Sequence, residues 1–307
     1  MVELALRGWR TKARVQRVLS GLPAGHRANW LLQRYVTRSY PASDGKLHAQ
    51  ADLARRHVAA LDRHGSAPRS TARLYEFGAG WDLAIPLLHY ALGVNHQVLV
   101  DIRPLAREEL VFDIARRLHP DVHGLQRDLP APRGRLSSYL ERLGIDYRAP
   151  ADARAVGLPG ASFDCITSSN TLEHVPRHDL PSILKECARL LAAGGVCSFH
   201  VDYSDHYSHF DGSISPFNFL QFEEAAWRRF NPPLHHQNRL RHPDYLRLFQ
   251  EASFVRVHEE RIEISSDRAV VQALPLATAF RSIQAEDLAV RGAHIVLTAA
   301  PTATGPS

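Results

Sequence analysis

The chain has 307 residues, 45% of them hydrophobic and 22% charged. That is ample for a buried core, and it argues against a disordered, fibrous or membrane-embedded protein. No stretch approaches the roughly 18 uncharged apolar residues of a membrane span, and the opening MVELALRGWRTKARVQRVL breaks each apolar run with a charge, so neither a span nor a secretory leader is expected. Cys165, Cys187 and Cys197 fit neither a disulfide framework nor a CxxC metal knuckle, which points to a reducing, cytoplasmic location. The net charge of +5 is concentrated near the start, where residues 1–70 carry 13 Lys and Arg against 4 Asp and Glu. Such a segment suits an acidic partner, but its arginines are scattered among apolar positions and read better as a solvated helical face. Arg outnumbers Lys 34 to 3 over the whole chain, a compositional bias that weakens any local argument from arginine.

Residues 1–70 are predicted to form a helical cap. In Lys46–His64, Leu47, Ala51, Ala54, Val58 and Leu61 recur every three or four residues, and Gly65 supplies a stop. An earlier cluster, Trp30, Leu31, Leu32, Tyr35 and Val36, precedes Pro41 and is expected to be helical as well. GSAPRS, residues 65–70, reads as a linker. Beyond it, short apolar runs alternate with helical periods: a strand Arg73–Phe77, a helix from about Asp82, a strand Gln97–Val100, a helix Leu105–Leu118, a strand Ser162–Ser168, a helix Asp179–Ala192 capped by Asp179 and followed by Gly194, and a strand Val196–Val201. This alternation implies an α/β fold with a mostly parallel sheet covered by helices on both faces. Residues 202–250 form a polar, aromatic, His-rich excursion, expected to be a substrate loop or lid because open α/β sheets hold ligands at the carboxyl ends of their strands. Strands return at Phe254–Ile264 and Ala293–Ala299 with a helical insert near Leu274–Asp287, which brings the main domain to residues 71–300; the tail 301–307, PTATGPS, is expected to be disordered.

The stretch LYEFGAGWDLAIPLL, residues 74–88, carries the strongest chemical signal. A strand ending at Phe77 turns through Gly78, Ala79 and Gly80 into a helix, a turn that lets a ligand approach the backbone. A dinucleotide site wants a small residue where Leu83 stands, and Glu76 would repel a pyrophosphate but attract an ammonium group. The next strand ends in Asp101, the position from which an acid receives ribose hydroxyls. Ribose, ammonium and no phosphate together describe S-adenosylmethionine.

Five segments, Glu76-Phe-Gly-Ala-Gly80, Val100-Asp101-Ile102, Ala151-Asp152-Ala153, Ser162 to Val175 (SFDCITSSNTLEHV) and Arg189 to Gly195 (RLLAAGG), resemble in order the motifs of class I S-adenosylmethionine-dependent methyltransferases. The resemblance covers residues 72–204 and implies a Rossmann-like seven-stranded sheet, with the C-terminal strand pair closing one edge. It implies that Glu76, Gly78, Ala79 and Gly80 hold the methionine end of the cofactor and Asp101 the ribose. Ile102 and Arg103 would lie on the adenine side, Asp152 with Ala153 would meet the adenine amino group and ring, and Asn170 to His174, Leu172 included, would line the floor beside the sulfonium. Asp82 stands where the family often has a third glycine, with the bulky Trp81 beside it. An insertion around Pro120–Leu143 has no role legible in the sequence.

Methyl transfer needs alignment of nucleophile, methyl carbon and sulfur, and for a hydroxyl acceptor a general base. His174, Asp202 and His206 are the candidate catalytic residues, drawn from a wider group of Tyr203, Asp205, His209, Asn231, His235, His236, Asn238 and Arg239. Phe217, Phe219, Phe222, Trp227 and Phe230 suit either a pocket wall or a helix core, with Trp227 read as core. No metal is expected, since among the five histidines of the 202–250 excursion no HxxxH pair or carboxylate pairing stands at ligand spacing. The polar, His-rich excursion favours a small molecule or sugar methylated at oxygen. Two alternatives stay open: a nucleic-acid methyltransferase guided by the basic N-terminal segment, which lacks the Asn-Pro-Pro-aromatic signature of base amino methylation, and a non-catalytic cofactor-binding module. The sequence says nothing of oligomeric state.

Overall fold

The computed structural model describes residues 8–23, 25–31, 34 and 40–300. The helical expectation for Leu32, Tyr35 and Val36 and the expectation for the 301–307 tail lie outside the described residues. Seven strands, β1 (Arg73–Phe77), β2 (His96–Val100), β3 (Ile145–Arg148), β4 (Phe163–Ser169), β5 (Leu191–Asp202), β6 (Phe254–Ile262) and β7 (Gly292–Ala299), form one sheet in the order β3-β2-β1-β4-β5-β7-β6. The first five are parallel, while β7 runs antiparallel to both neighbours. The strand order reverses beside β1, so the carboxyl ends of β1, β2, β4 and β5 share one edge.

Helices α1 (Trp9–Ser20), α2 (Gly25–Leu31) and α3 (Asp44–His64) precede the sheet. Ser43 caps α3 by accepting from the Lys46 amide. The apolar stripe of α3, Leu47, Ala51, Ala54, Val58 and Leu61, shares one core with Leu74, Leu99 and Val196 of the sheet, so α3 is a layer helix of the α/β body. The same face carries α4 (Ala84–Ala91), α5 (Glu108–Arg117) and α6 (Leu136–Arg142). The insertion at 120–143 thereby acquires a purpose: Tyr139, Leu140 and Leu143 are buried against the β2–β3 edge. The opposite face is covered by α7 (Leu180–Leu190) and α8 (His242–Glu251). Leu180, Ile183, Leu184 and Leu190 of α7 are buried there, each contributing about 2 kcal/mol of transfer free energy.

Several boundaries differ from expectation. The helix expected from Asp82 begins at Ala84, because Asp82 turns its carboxylate onto the Ala84 amide and Leu83 adopts a left-handed conformation (φ 48°). The helix expected from Leu105 begins at Glu108, since the amides of Leu105 and Ala106 are held by the Tyr147 hydroxyl. Asp179 stands at the start of α7 but does not cap it; its carboxylate pairs with Arg154. The insert expected near Leu274–Asp287 is three short pieces, α9 (Asp267–Gln272) and turns at Thr278–Phe280 and Ala285–Leu288, interrupted at Pro275.

Residues 202–250 are not an open loop. Tyr207, Phe217, Phe219, Leu220 and Trp227 form a third core with Val271, Phe280, Leu288 and Trp9 of α1. The basic helix α1 is committed to this core: the Trp9 amide donates to Asp211, Lys12 lies over Phe210, and Arg17 donates to the Arg228 carbonyl. The three cysteines are free and buried. Among the described residues no helix is long and apolar enough to cross a membrane.

Candidate active site

The alternation of β1 places Leu74 and Glu76 on the α3–α4 face and Tyr75 and Phe77 on the other. Gly78 and Gly80 both adopt φ near +80°, a region open to glycine. Their surroundings differ. A Cβ on Gly78 would lie 2.3 Å from the Thr171 side chain, whose Oγ1 sits 3.2 Å from the Gly78 carbonyl. A Cβ on Gly80 would meet nothing within 4 Å among the described residues. Gly78 is thus a packing glycine, and Gly80 presents backbone to open space.

Asp101 ends β2 with its carboxylate against this turn, accepting from the Ala79 and Gly80 amides and from the Tyr147 hydroxyl at 3.1 Å. Burial pushes its pKa up to about 7 despite those hydrogen bonds. Glu76 lies beneath the turn, 1% exposed, accepting from Thr167 Oγ1 at 3.1 Å and standing 3.6 Å from His89 Nδ1. Burial raises it to about 8, with Asp101 adding to the rise and Thr167 opposing it, while burial also lowers His89 to about 3. The two acids therefore flank the turn from below and from the side.

Ile102, 59% exposed, and Arg103 follow on the surface of the same edge. An isoleucine so exposed at this place offers an apolar face to a flat ring. Asp152 lies in the loop after β3, which is joined to Asp101 through the Ala151 amide. Its carboxylate is held by Arg154, which also pairs with Asp179, and Ala153 packs against the second core. Trp81 stacks on Trp30 of α2, ring centroids 5.0 Å apart, with Arg107 over both, so the N-terminal helices reach the glycine turn directly.

The residues assigned to the sulfonium floor divide. Asn170 (φ 50°) ends β4, and its Oδ1 lies 2.8 Å from His200 Nδ1 on β5. The Leu172 side chain is fully buried in the core and leaves only backbone to the floor. His174 is exposed, and its Nδ1 donates to the His236 carbonyl at 2.7 Å. Across the strand ends, Asp202 Oδ1 accepts from the Ser204 amide and hydroxyl, leaving Oδ2 facing His206 Nε2 at 3.3 Å and His209 Nε2 at 3.6 Å. Burial opposes ionisation of Asp202, but its contacts with His206 and Ser204 outweigh that and hold its pKa below the usual range. The rings of His174 and His206 are 4.8 Å apart, so the structure brings together all three residues expected to be catalytic. A cavity of about 370 Å³ opens here, lined by His200, Asp202, Ser204, His209, Arg291 and Gly292 among others. A wider cavity of about 690 Å³ lies between α7 and α8, lined by none of the motif residues.

Other members of the His-rich group are structural. Asp205 accepts from Asn218 and the Tyr207 amide, Arg239 donates to the Phe219 and Phe222 carbonyls, and Trp227 is core. Asn238 pins the 172–174 turn through the Leu172 and Val175 carbonyls, and Gln237 pins the 204–206 turn through the Ser204 carbonyl and His206 amide. Sequence reasoning assigns no role to Tyr147, Thr167 or Gln237, and places Thr171 and Glu173 only within the Asn170–His174 floor. Tyr147 stands on β3, whose four residues IDYR give too short a period to detect, and the others act through tertiary contacts without a local signature.

The family model described as a methyltransferase domain matches residues 131–199, which span β3, β4 and the glycine pair after α7. No curated protein matches the sequence. Among solved structures, the PH0226 protein of Pyrococcus horikoshii is similar at 11% identity and a TM-score of 0.50, with 87% of this chain and 97% of that one covered. The CurJ carbon methyltransferase is similar at 14% identity and a TM-score of 0.49, with 97% and 70% covered. A SAM-dependent methyltransferase of Leishmania major is similar at 16% identity and a TM-score of 0.44, with 95% and 83% covered. The family match, the strand order and the succession of motifs agree: residues 131–199 match a methyltransferase domain, and the chain has the Rossmann-like seven-stranded fold of class I methyltransferases.

Proposed function

We propose that this enzyme binds S-adenosylmethionine at the Gly78–Gly80 turn and transfers its methyl group to an oxygen of a small molecule or sugar seated beside Asp202 and His206. The observation that carries the reading is that one sheet edge holds both halves of the chemistry: an open glycine backbone flanked by Glu76 and Asp101, and, two strands along, a His–carboxylate cluster opening on a cavity. When bound, the cofactor supplies an electrophilic methyl group on a sulfonium. Glu76 beneath the turn stabilises positive charge at the methionine end, and Asp101 accepts from the ribose hydroxyls once the amides of Ala79 and Gly80 yield to the ligand. Ile102 covers one side of the adenine, Arg103 follows on that side, and the loop bearing Asp152 and Ala153 closes the other.

On the acceptor side, Asn170 and His200 tie the β4 end to the cavity wall. His206 Nε2 receives the acceptor proton, and the Asp202 carboxylate stabilises the imidazolium that forms. His174, with Nδ1–H fixed on the His236 carbonyl, presents Nε2 as a further acceptor at the same place. Titration calorimetry with S-adenosylhomocysteine tests the cofactor site on the unaltered chain, Gly80→Ala and Asp101→Asn. Both variants are expected to bind at least about tenfold more weakly, and equal affinities in all three would overturn the site. Methyl-labelled cofactor with an acceptor panel tests the reaction, since NMR of the product distinguishes O-methyl from N-methyl or C-methyl.

A further inference from the structure

We propose that Glu173, His174 and His206 form a binding site for one divalent transition metal of the zinc type, next to the Asp202 wall of the acceptor cavity. The proposal rests on reading that edge as the acceptor site and names the cofactor it would use there; with the ion held, His174 and His206 serve as ligands in place of the proton-accepting role given them above, and the Asp202 carboxylate is left to take the acceptor proton. One ligand atom from each residue lies within 4.8 Å of the others, a span that a single ion closes with small side-chain movements. Glu173 is 3% exposed, and its carboxylate meets no side-chain donor, only the neighbouring amides of Glu173 and Asp202. A buried carboxylate without a side-chain donor is costly and calls for a counter-charge. His206 Nε2 is likewise buried without a hydrogen bond, although it faces Asp202.

The surrounding shell has the form that metal sites need. His174 Nδ1–H donates to the His236 carbonyl, which fixes the tautomer and leaves the Nε2 lone pair outward. Asn238 donates through its own amide to the Glu173 carbonyl, and its side chain holds the Leu172 and Val175 carbonyls. Gln237 holds the turn that bears His206. Asp202 and His209 stand behind His206 as a second His–carboxylate pair sharing it. Two imidazoles and one carboxylate form a donor set suited to zinc, cobalt, manganese or ferrous iron rather than magnesium or calcium, and three protein ligands leave positions open for water or an acceptor oxygen. The spacing in the sequence conceals the site, because Glu173 and His174 follow β4 whereas His206 follows β5.

The test uses the full chain freed of metal by a chelator and titrated with Co²⁺ alone and, separately, with Zn²⁺, reading metal bound per chain and the visible absorption of Co²⁺. One equivalent is expected to bind. Glu173→Gln, His206→Gln and His174→Ala are each expected to weaken Co²⁺ binding at least about tenfold, with circular dichroism confirming the fold; the exposed His174 carries no packing cost. His258→Ala, in the separate group of His258, Glu260 and His294, is expected to bind as the unaltered chain does. Absence of bound Co²⁺ and Zn²⁺, undiminished affinity in His174→Ala, or an equal loss in His258→Ala would each overturn the site. S-adenosylhomocysteine is titrated into the same samples. Nucleoside binding without metal removes the metal site alone, and metal binding without nucleoside removes the cofactor reading alone.

Discussion

Glu76 is where burial and charge conflict most sharply. Burial places its pKa at about 8 in the folded chain against an ordinary 4.5. The folded state therefore holds the proton more tightly than the unfolded one, so its contribution to stability is complete below pH 4.5 and is lost as pH rises through 8. Linkage over pH 5 to pH 8 amounts to roughly 3–4 kcal/mol of stability. Glu76→Gln removes this dependence while keeping the shape, its amide oxygen standing where the carboxylate oxygen accepts from Thr167. Urea denaturation of both chains from pH 5 to 8 should show the native chain losing about 3 kcal/mol relative to the variant. The ammonium group of a nucleoside bound above the turn favours the carboxylate, so S-adenosylhomocysteine binding at pH 7 should release close to one proton, read by calorimetry in buffers of different ionisation enthalpy. Glu76→Gln should release less. Parallel stability profiles for the two chains would refute the reasoning, because they would mean that Glu76 is ionised or solvated in the folded protein.

The remaining tests bear on the turn, the proton acceptor and the scaffold. Gly78→Ala puts a methyl group into the Thr171 side chain at a left-handed position, so thermal denaturation should show a loss of about 1–3 kcal/mol, which Gly78→Ala with Thr171→Ala should recover only in part because the φ penalty persists. His206→Gln and Asp202→Asn should each lower kcat about 100-fold while leaving S-adenosylhomocysteine affinity unchanged; an equal loss of nucleoside affinity would assign them to cofactor binding. Arg241, fully buried, donates to the carbonyls of Tyr203, Leu288 and Val290. Arg241→Met leaves all three without that donor and should cost at least about 3 kcal/mol in chemical denaturation, and a smaller loss would show that water replaces the guanidinium.

The third core shows why the proposed acceptor side was harder to read than the proposed cofactor side. Histidines and aromatics after β5 announced a functional region by composition, yet most of them, Trp227, Asp205 and Arg239 among them, build a scaffold. Polar residue types are shared by sites and by buried hydrogen-bond networks, and only partners in space distinguish the two. Tyr147 illustrates the same limit on the cofactor side: it holds Asp101 and shapes the turn at Leu105, but its strand is four residues long and leaves no period.

What the sequence determined by itself was the order of the strands other than β3 and of the main helices between them, the glycine turn, and the acids at the ends of β1 and β2, because these follow from local periodicity, from the φ freedom of glycine and from motif spacing along the chain. Only the tertiary structure decided that the N-terminal helices join the sheet and the scaffold, that Gly78 and Gly80 have different duties, and that Glu173, His174 and His206 meet. Those facts depend on which strand ends the sheet order sets side by side, and residues more than thirty positions apart acquire a shared chemistry only when hydrogen bonding between strands makes them neighbours.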